Sequence, residues 1–311
     1  MTLQQLEYIL AVARYGHFGR AAEACNVTQP TLSMQIQKLE STLNVQIFDR
    51  TTYPVTTTEI GLEIIQQAKA VLQETGKIKE LISNQQVELA GELKVGIIPT
   101  IAPYLLPQVI SEMMHKYPKL RLSVWESTTE EIVTRLKNGL LDCGILATPL
   151  SDNHLIEYPI YYEAFVSYVG NNSVLRNSEV VETSDLMQEH IWLLNEGHCM
   201  RSQALNICGI TKLSNEFVLE YNSGSIETLI KMVDLNEGVT LLPELAVIGL
   251  DKEQKKKVKK FSSPQPSREI SIITHKSFIK KRMLSILKEE ILKAIPTGMQ
   301  EYENRNVLNP E

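Results

Sequence analysis

Near residue 90 the spacing of the apolar residues changes character: before it they recur with a helical period, and from Leu93 onward short apolar runs alternate with helical stretches. A stripe spaced for a helix cannot line one face of a strand, nor the reverse, so the chain must fold as an all-α N-terminal part followed by a separate α/β part. In the first part Leu3, Leu6, Ile9, Leu10 and Ala13 form one stripe, Phe18 to Cys25 a short second helix, and Asn26-Val27-Thr28 a turn. Thr28 can cap a third helix whose first turn tolerates Pro30 and whose stripe is Leu32, Ile36, Leu39 and Leu43. Its opposite side carries Thr31, Met34, Gln37 and Lys38, with Gln29 and Ser33 on the flank, so half of the helix is core and half is presented surface.

This is the helix-turn-helix arrangement, in which the second helix of the motif inserts its N-terminal residues into the major groove. Short polar side chains suit that role because they bond both phosphates and base edges. Phe48 to Thr56 reads as a wing, which makes the candidate DNA contacts Gln29, Thr31, Ser33, Met34, Gln37 and Arg50. The competing reading is a generic three-helix bundle with one polar helix. Charge is a caution: residues 1–90 hold seven Lys and Arg against nine Asp and Glu, a net −2, and the whole chain carries −6. Dimerisation would double the few favourable contacts. Ile60, Ile64, Ala68, Val71, Ile78 and Ile82 fall at helical spacing between Glu59 and Gln86, a helix of about 40 Å suited to pairing with a partner.

Beyond it, strands are expected at Leu93–Ile98, Leu120–Trp125, Cys143–Ala147, Phe165–Val169, Ile191–Leu194, Phe217–Tyr221, Thr240–Leu242 and Ile270–Thr274. Helices are expected at Pro103–Tyr117, Thr129–Asn138, Ser225–Leu235 and Phe278–Ala294. The result is an α/β domain with two lobes, a class that places ligands in the crevice beyond its strand ends, where Thr100 would sit. The domains are then 1–58, a winged helix-turn-helix; 59–89, a linker and dimerisation helix; 90–295, a two-lobed regulatory domain; and 296–311, a polar tail expected to be disordered. The basic run Lys252 to Lys260 reads as a solvated loop. Pro99, Pro103 and Pro107 interrupt the longest uncharged run, Val95 to Ser111, and Glu7 interrupts the N-terminal apolar stretch. Neither a membrane span nor a signal peptide is therefore expected, and the location expected is the cytoplasm.

The segment Leu193 to Cys208, LLNEGHCMRSQALNIC, carries the chemistry. Cys199 stands beside His198 and Arg201, and nearby positive charge makes a thiol more nucleophilic by stabilising its thiolate. Arg201 to Ile207 has fair helix propensity, and one continuous helix would hold Cys199 and Cys208 roughly 13 Å apart, whereas a disulfide needs Cα atoms within about 7 Å. Joining them would require the segment to refold, and closing so short a loop removes on the order of 2.5–3 kcal/mol of chain entropy, so oxidation could act as a switch. The alternative is that both are small buried hydrophobes, as Cys25 and Cys143 are read. Four cysteines make no disulfide framework, no cysteine and histidine cluster has metal-ligand spacing, and His198-Cys199 with Cys208 offers at most three ligands, a weak signal for a metal.

The N-terminal LQQLEYILAVARYGHFGRAAEACNVTQPTLSMQIQKLESTLNVQIFDRT resembles the DNA-binding domain of LysR-type transcriptional regulators. Gly197-His198-Cys199, Arg201-Ser202-Gln203-Ala204, Cys208, Ile98-Pro99-Thr100 and Tyr104-Leu105-Leu106-Pro107 resemble the hydrogen-peroxide-sensing members of that family. The resemblance implies a C-terminal domain like a periplasmic binding protein and a regulator of oxidative-stress genes that is not an enzyme. It implies that peroxide oxidises Cys199 to a sulfenic acid, which Cys208 resolves into a disulfide. Thr100 and Thr129 would hold the peroxide, and His198 and Arg268 would polarise the site. The implied partners are double-stranded promoter DNA, hydrogen peroxide, further copies of the chain as homodimer and homotetramer, RNA polymerase, and a thiol reductant such as glutaredoxin or thioredoxin. No cofactor and no metal are implied. Two positions depart from the pattern: Ser202 stands where the best-known members have an acidic residue, and Tyr53-Pro54 replaces a more basic wing. The rival functions are a LysR-type regulator answering a small organic co-inducer, with incidental cysteines, and a thiol peroxidase.

Overall fold

The computed structural model describes residues 1–83, 89–195, 197–209, 224–235, 238–301 and 305–310. The chain divides near Glu88 into two compact units.

The first unit opens with α1 (Leu3–Tyr15), started by a reciprocal capping box between Thr2 and Gln5 and ended by Gly16 in the left-handed region at φ 57°. In α2 (Phe18–Ala24) the cap is His17, whose Nδ1 accepts the amides of Gly19 and Arg20. In α3 (Gln29–Leu43) Thr28 holds the N-cap position but accepts no backbone amide, because its hydroxyl is paired at 2.8 Å with that of Thr31. Leu32, Ile36 and Leu39 are buried with Leu6, Ile9 and Val12 of α1, while Leu43, expected on the same stripe, is exposed at the helix end. The strands β1 (Phe48–Asp49) and β2 (Thr56–Thr57) make the antiparallel wing.

The next helix, α4 (Glu59–Ser83), splits the expected pairing stripe. Ile65 and Ala68 are buried in the N-terminal core with Ile64 packed beside them, whereas Ile60, Leu62, Val71 and Ile78 remain exposed. The side chain of Ile82 and the expected continuation to Gln86 lie outside the description.

The second unit runs β3 (Gly91–Ile97), α5 (Ala102–Lys116), β4 (Leu120–Glu126), α6 (Thr129–Lys137), β5 (Cys143–Thr148), β6 (Leu155–Val169), β7 (Val180–Val181), β8 (Ile191–Trp192) and α7 (Cys199–Cys208). It continues through α8 (Ile226–Leu235), β9 (Val239–Pro243), α9 (Glu244–Ile248), α10 (Lys252–Lys256), β10 (Val258–Phe261), β11 (Gln265–His275), α11 (Lys281–Ala294) and β12 (Arg305–Val307). In one lobe β4, β3 and β5 are parallel. The other is built on β6, β9 and β10. The long antiparallel pair β6 and β11 serves both, giving the order β4-β3-β5-β11-β6-β10-β7. Their register slips between Ile270 and Ser271, opposite Pro159, which has no amide to give to a ladder.

Three expectations need correction or fall outside view. The tail expected to be disordered folds back: β12 pairs in parallel with β11, and Met299 and Pro310 are buried. Strand addition of this kind uses main-chain groups, which leave no apolar period in the sequence. The basic run is not a loop but α10 and β10, with Lys259 nearly buried and Lys257 paired to Asp234 at 2.7 Å. The expected strand Phe217–Tyr221 lies outside the described residues. Among the described residues no helix is long and apolar enough to cross a membrane.

Because Ile36 is fully buried and Gln37 next to it is exposed, Ile36→Ala should cost about 2–5 kcal/mol of stability and Gln37→Ala no more than about 0.5. Chemical denaturation followed by far-ultraviolet circular dichroism reads both, and equal effects would contradict this packing.

Candidate functional site

The cysteine segment forms one continuous helix. Gly197 sits at φ 90°, a conformation that favours glycine, and His198 is the N-cap, so Cys199 is the first residue of α7. The buried face is Met200, Gln203, Ala204, Ile207 and Cys208, a helical i, i+3, i+4 pattern that drives the helix onto the second lobe. Both cysteines are free, Cys208 buried and Cys199 partly so, and the helix rise separates them by roughly 13 Å.

Cys199, His198 and Thr129 share a cleft of about 380 Å³ whose other walls include Val133, Leu150, Ser202 and Pro310. Thr129 begins α6, and among the described residues its buried Oγ1 meets no partner in full hydrogen-bond geometry. It nonetheless lies where it favours a thiolate on Cys199. The thiol's pKa is set by opposed causes: burial pushes it above the ordinary value, while Arg268, Thr129 and the amides of Met200 and Cys199 itself pull it down. Burial prevails, so at neutral pH the resting sulfur holds its proton.

The cation at the sulfur is not the one its sequence neighbours offered. Arg201 donates its Nη1 to the Leu194 carbonyl at 2.7 Å. Burial lowers the pKa of His198 against a weaker upward pull from Glu126, which keeps the ring neutral at pH 7. Arg268, fully buried on β11, supplies the positive charge. Directly opposite it on β6 is Glu163, 1% exposed, whose Oε2 accepts from Arg268 Nε at 2.9 Å and Nη2 at 2.8 Å. The remaining oxygen of Glu163 accepts the Leu245 amide at 2.9 Å. Arg268 also donates to the Thr100 hydroxyl at 2.8 Å and to its carbonyl at 3.2 Å.

The expected peroxide-handling residues therefore divide into two groups. Thr129 and His198 line the cleft with Cys199, while Thr100 is not one of its walls but is buried and bonded to Arg268. Sequence reasoning missed Glu163, although a lone carboxylate inside the apolar stretch Tyr161 to Val169 is itself a signal, since a buried charge must be paired. Cys143 is fully buried and its thiol pushed well up, as is expected of core. No group of three or more candidate metal ligands occurs among the described residues.

In the first unit Gln29, Thr31, Met34 and Gln37 are exposed along α3 and Ser33 is half-buried. Arg50, the sixth candidate DNA contact, is engaged within the unit. It donates to Glu40 at 2.9 Å and to Ser33 at 3.2 Å and lies over the Phe18 ring.

Comparison with known proteins agrees with both halves. Residues 3–62 match the bacterial regulatory helix-turn-helix protein, lysR family, and residues 86–291 match the LysR substrate binding domain. The chain belongs to the LysR family of bacterial DNA-binding regulators. It is 37% identical over 273 residues to the hydrogen peroxide-inducible genes activator of Haemophilus influenzae, covering 88% of this chain and 90% of that one. The DNA-binding transcriptional dual regulator OxyR of Escherichia coli K12 is likewise 37% identical, covering 88% of this chain and 89% of its own. Among solved structures, a full-length Pseudomonas aeruginosa OxyR with a cysteine-to-aspartate substitution superposes with a TM-score of 0.79 at 35% identity, over 94% of this chain and 98% of that one. A hydrogen-peroxide-bound cysteine-to-serine mutant of Corynebacterium glutamicum OxyR gives 0.61 at 27% identity, over 94% of each chain.

Removing Arg268 alone leaves Glu163 a buried, unpaired carboxylate, so Arg268→Met should cost about 3–5 kcal/mol and the Glu163→Met, Arg268→Met double variant far less. Urea unfolding tests this; a single variant as stable as the double would refute the pairing. In the folded double variant the pull of Arg268 on Cys199 is gone. Its iodoacetamide alkylation rate should therefore rise with pH at a higher midpoint than in the parent, whose own midpoint lies above that of free cysteine.

Proposed function

We propose that the chain is a cytoplasmic, hydrogen-peroxide-responsive transcriptional regulator of oxidative-stress genes, switched by a reversible Cys199–Cys208 disulfide. The observation that carries this is the placing of the two sulfurs at opposite ends of one helix. Cys199 opens onto a cleft, and Cys208 is buried out of its reach. A disulfide between them cannot form while α7 stands, so its formation must rearrange the regulatory domain.

In the first step the Cys199 sulfur attacks one oxygen of the peroxide and the O–O bond breaks. The sulfur becomes a sulfenic acid, and the second oxygen leaves as water after taking the thiol proton. Arg268 and the Thr129 hydroxyl lie where they stabilise negative charge on the sulfur as it develops. In the second step the Cys208 thiol attacks the sulfenic sulfur and a second water leaves. Resetting the switch takes two electrons from a thiol reductant of the glutaredoxin or thioredoxin type.

For the output, Gln29, Thr31, Ser33, Met34 and Gln37 would meet promoter DNA, with Arg50 reaching a phosphate once released from Glu40. The exposed Ile60, Leu62, Val71 and Ile78 of α4 favour a homodimer, and pairs of dimers a homotetramer that engages RNA polymerase. A second reading, response to a small organic co-inducer, draws support from the cleft volume of about 380 Å³, which far exceeds what peroxide fills.

One equivalent of hydrogen peroxide followed by alkylation and mass spectrometry separates the two. Under the redox reading Cys199 and Cys208 are linked within seconds while Cys25 and Cys143 stay alkylatable, and Cys199→Ser binds promoter DNA yet ignores peroxide. Four alkylatable thiols after treatment, or a Cys199→Ser protein that still responds, would leave the co-inducer reading in its place.

A further inference from the structure

The proposed chemistry makes no use of Gln203, yet this polar side chain is fully buried midway between the two cysteines. Burying an amide is costly unless it is bonded, so its partner identifies what the position is for. Its Nε2 donates to the Leu308 carbonyl at 3.2 Å, and its Oε1 has no partner among the described residues. Leu308 is held from the other side as well: its amide donates to the Ser267 carbonyl at 2.8 Å, one residue before Arg268. Its side chain packs on the cluster that contains Met200, Ala204, Ile207 and Cys208. Just upstream, Arg305, Asn306 and Val307 pair with Gln265, Pro266 and Ser267. Just downstream, buried Pro310 forms a wall of the cleft that holds Cys199.

We propose that residues 305–310 are a C-terminal strap on the redox switch, and that Gln203 is the positioning residue that fastens the strap to α7. The inference rests on the redox reading above. While α7 is helical, Gln203 and Ser267 clasp Leu308 between them, so the strap stabilises the reduced form and closes one side of the cleft. Bringing Cys199 within about 7 Å of Cys208 requires residues between them to leave the helix, which takes Gln203 from Leu308 and frees the strap. A contact made in only one of two states biases their equilibrium by its differential free energy, so the strap raises the oxidising power needed to close the disulfide.

The test uses the full-length protein in mixtures of oxidised and reduced glutathione, where one glutathione disulfide takes two electrons from the dithiol and yields two glutathione thiols. Gln203→Met keeps length and helix propensity but removes the donor, and it should favour the disulfide about tenfold, or about 30 mV. A chain ending at residue 304 should shift the equilibrium in the same direction and at least as far. Hydrogen exchange read by mass spectrometry should show the peptide around Leu308 protected when reduced and exchanging at least tenfold faster once the disulfide has formed. An unchanged equilibrium in Gln203→Met, or unchanged protection in a parent protein whose disulfide is demonstrably closed, would overturn the strap and leave the redox reading intact. Failure of the parent to form the disulfide at all would overturn both.

Discussion

The buried pair of Arg268 and Glu163 is the constraint on which the second unit depends. The two residues face each other on β11 and β6, the strands shared by both lobes, and both are essentially without solvent. An ion pair in such a place is stabilised only if its remaining hydrogen-bonding capacity is met. Here the Leu245 amide and both oxygens of Thr100 supply those bonds, drawing α9 and the loop after β3 to the same point. The pair therefore holds four segments together, and its guanidinium supplies the positive charge felt at the Cys199 sulfur. Replacing it with hydrocarbon would keep the packing and remove the field, which separates its structural role from its electrostatic one.

Helix α7 is held at its ends and along one face. Gly197 and Gly209 adopt left-handed conformations outside its two ends, and the apolar residues between the cysteines pack on the second lobe. Cys208 belongs to that packed face, so the reduced helix gains from burying the sulfur that oxidation would use. In the proposed switch, disulfide formation must outweigh the loss of this packing, and that opposition is what makes the two forms distinct states rather than points on a continuum.

Much of this was legible in the sequence where a residue's role is set by local periodicity. Leu6 and Ile9 of α1, Leu32, Ile36 and Leu39 of α3, the alternation of strands and helices after Leu93, and a helix beginning at Thr129 all follow from spacing, whereas Leu3 and Ala13 of the expected α1 stripe are exposed and Tyr8 and Val12 are buried instead. The roles of Arg201 and Arg268 did not follow from proximity. Arg201 is two residues from Cys199 and points to a carbonyl, whereas Arg268 is far away in sequence and reaches the sulfur only through the pairing of β11 with β6. Likewise β12 is joined to β11 by main-chain bonds, whose partner no side-chain pattern announces. Nor did spacing show that Arg50 would fold back on Glu40.

A thiol whose pKa is raised looks ill suited to nucleophilic attack, yet it fits the proposed reaction. The thiolate is the attacking form, so a sulfur that rests protonated reacts only as its proton leaves and charge develops on it. The groups arranged around Cys199 act on that charge: the Arg268 guanidinium, the amides at the start of α7 and the hydroxyl of Thr129. Interactions that strengthen between ground state and transition state accelerate a reaction, whereas those already complete in the ground state do not. Thr129 Oγ1 in particular already lies where it favours a thiolate, and among the described residues no other group holds it, so its interaction with the sulfur can strengthen as charge develops. The site's reactivity thus depends on groups held ready around a sulfur that burial keeps neutral.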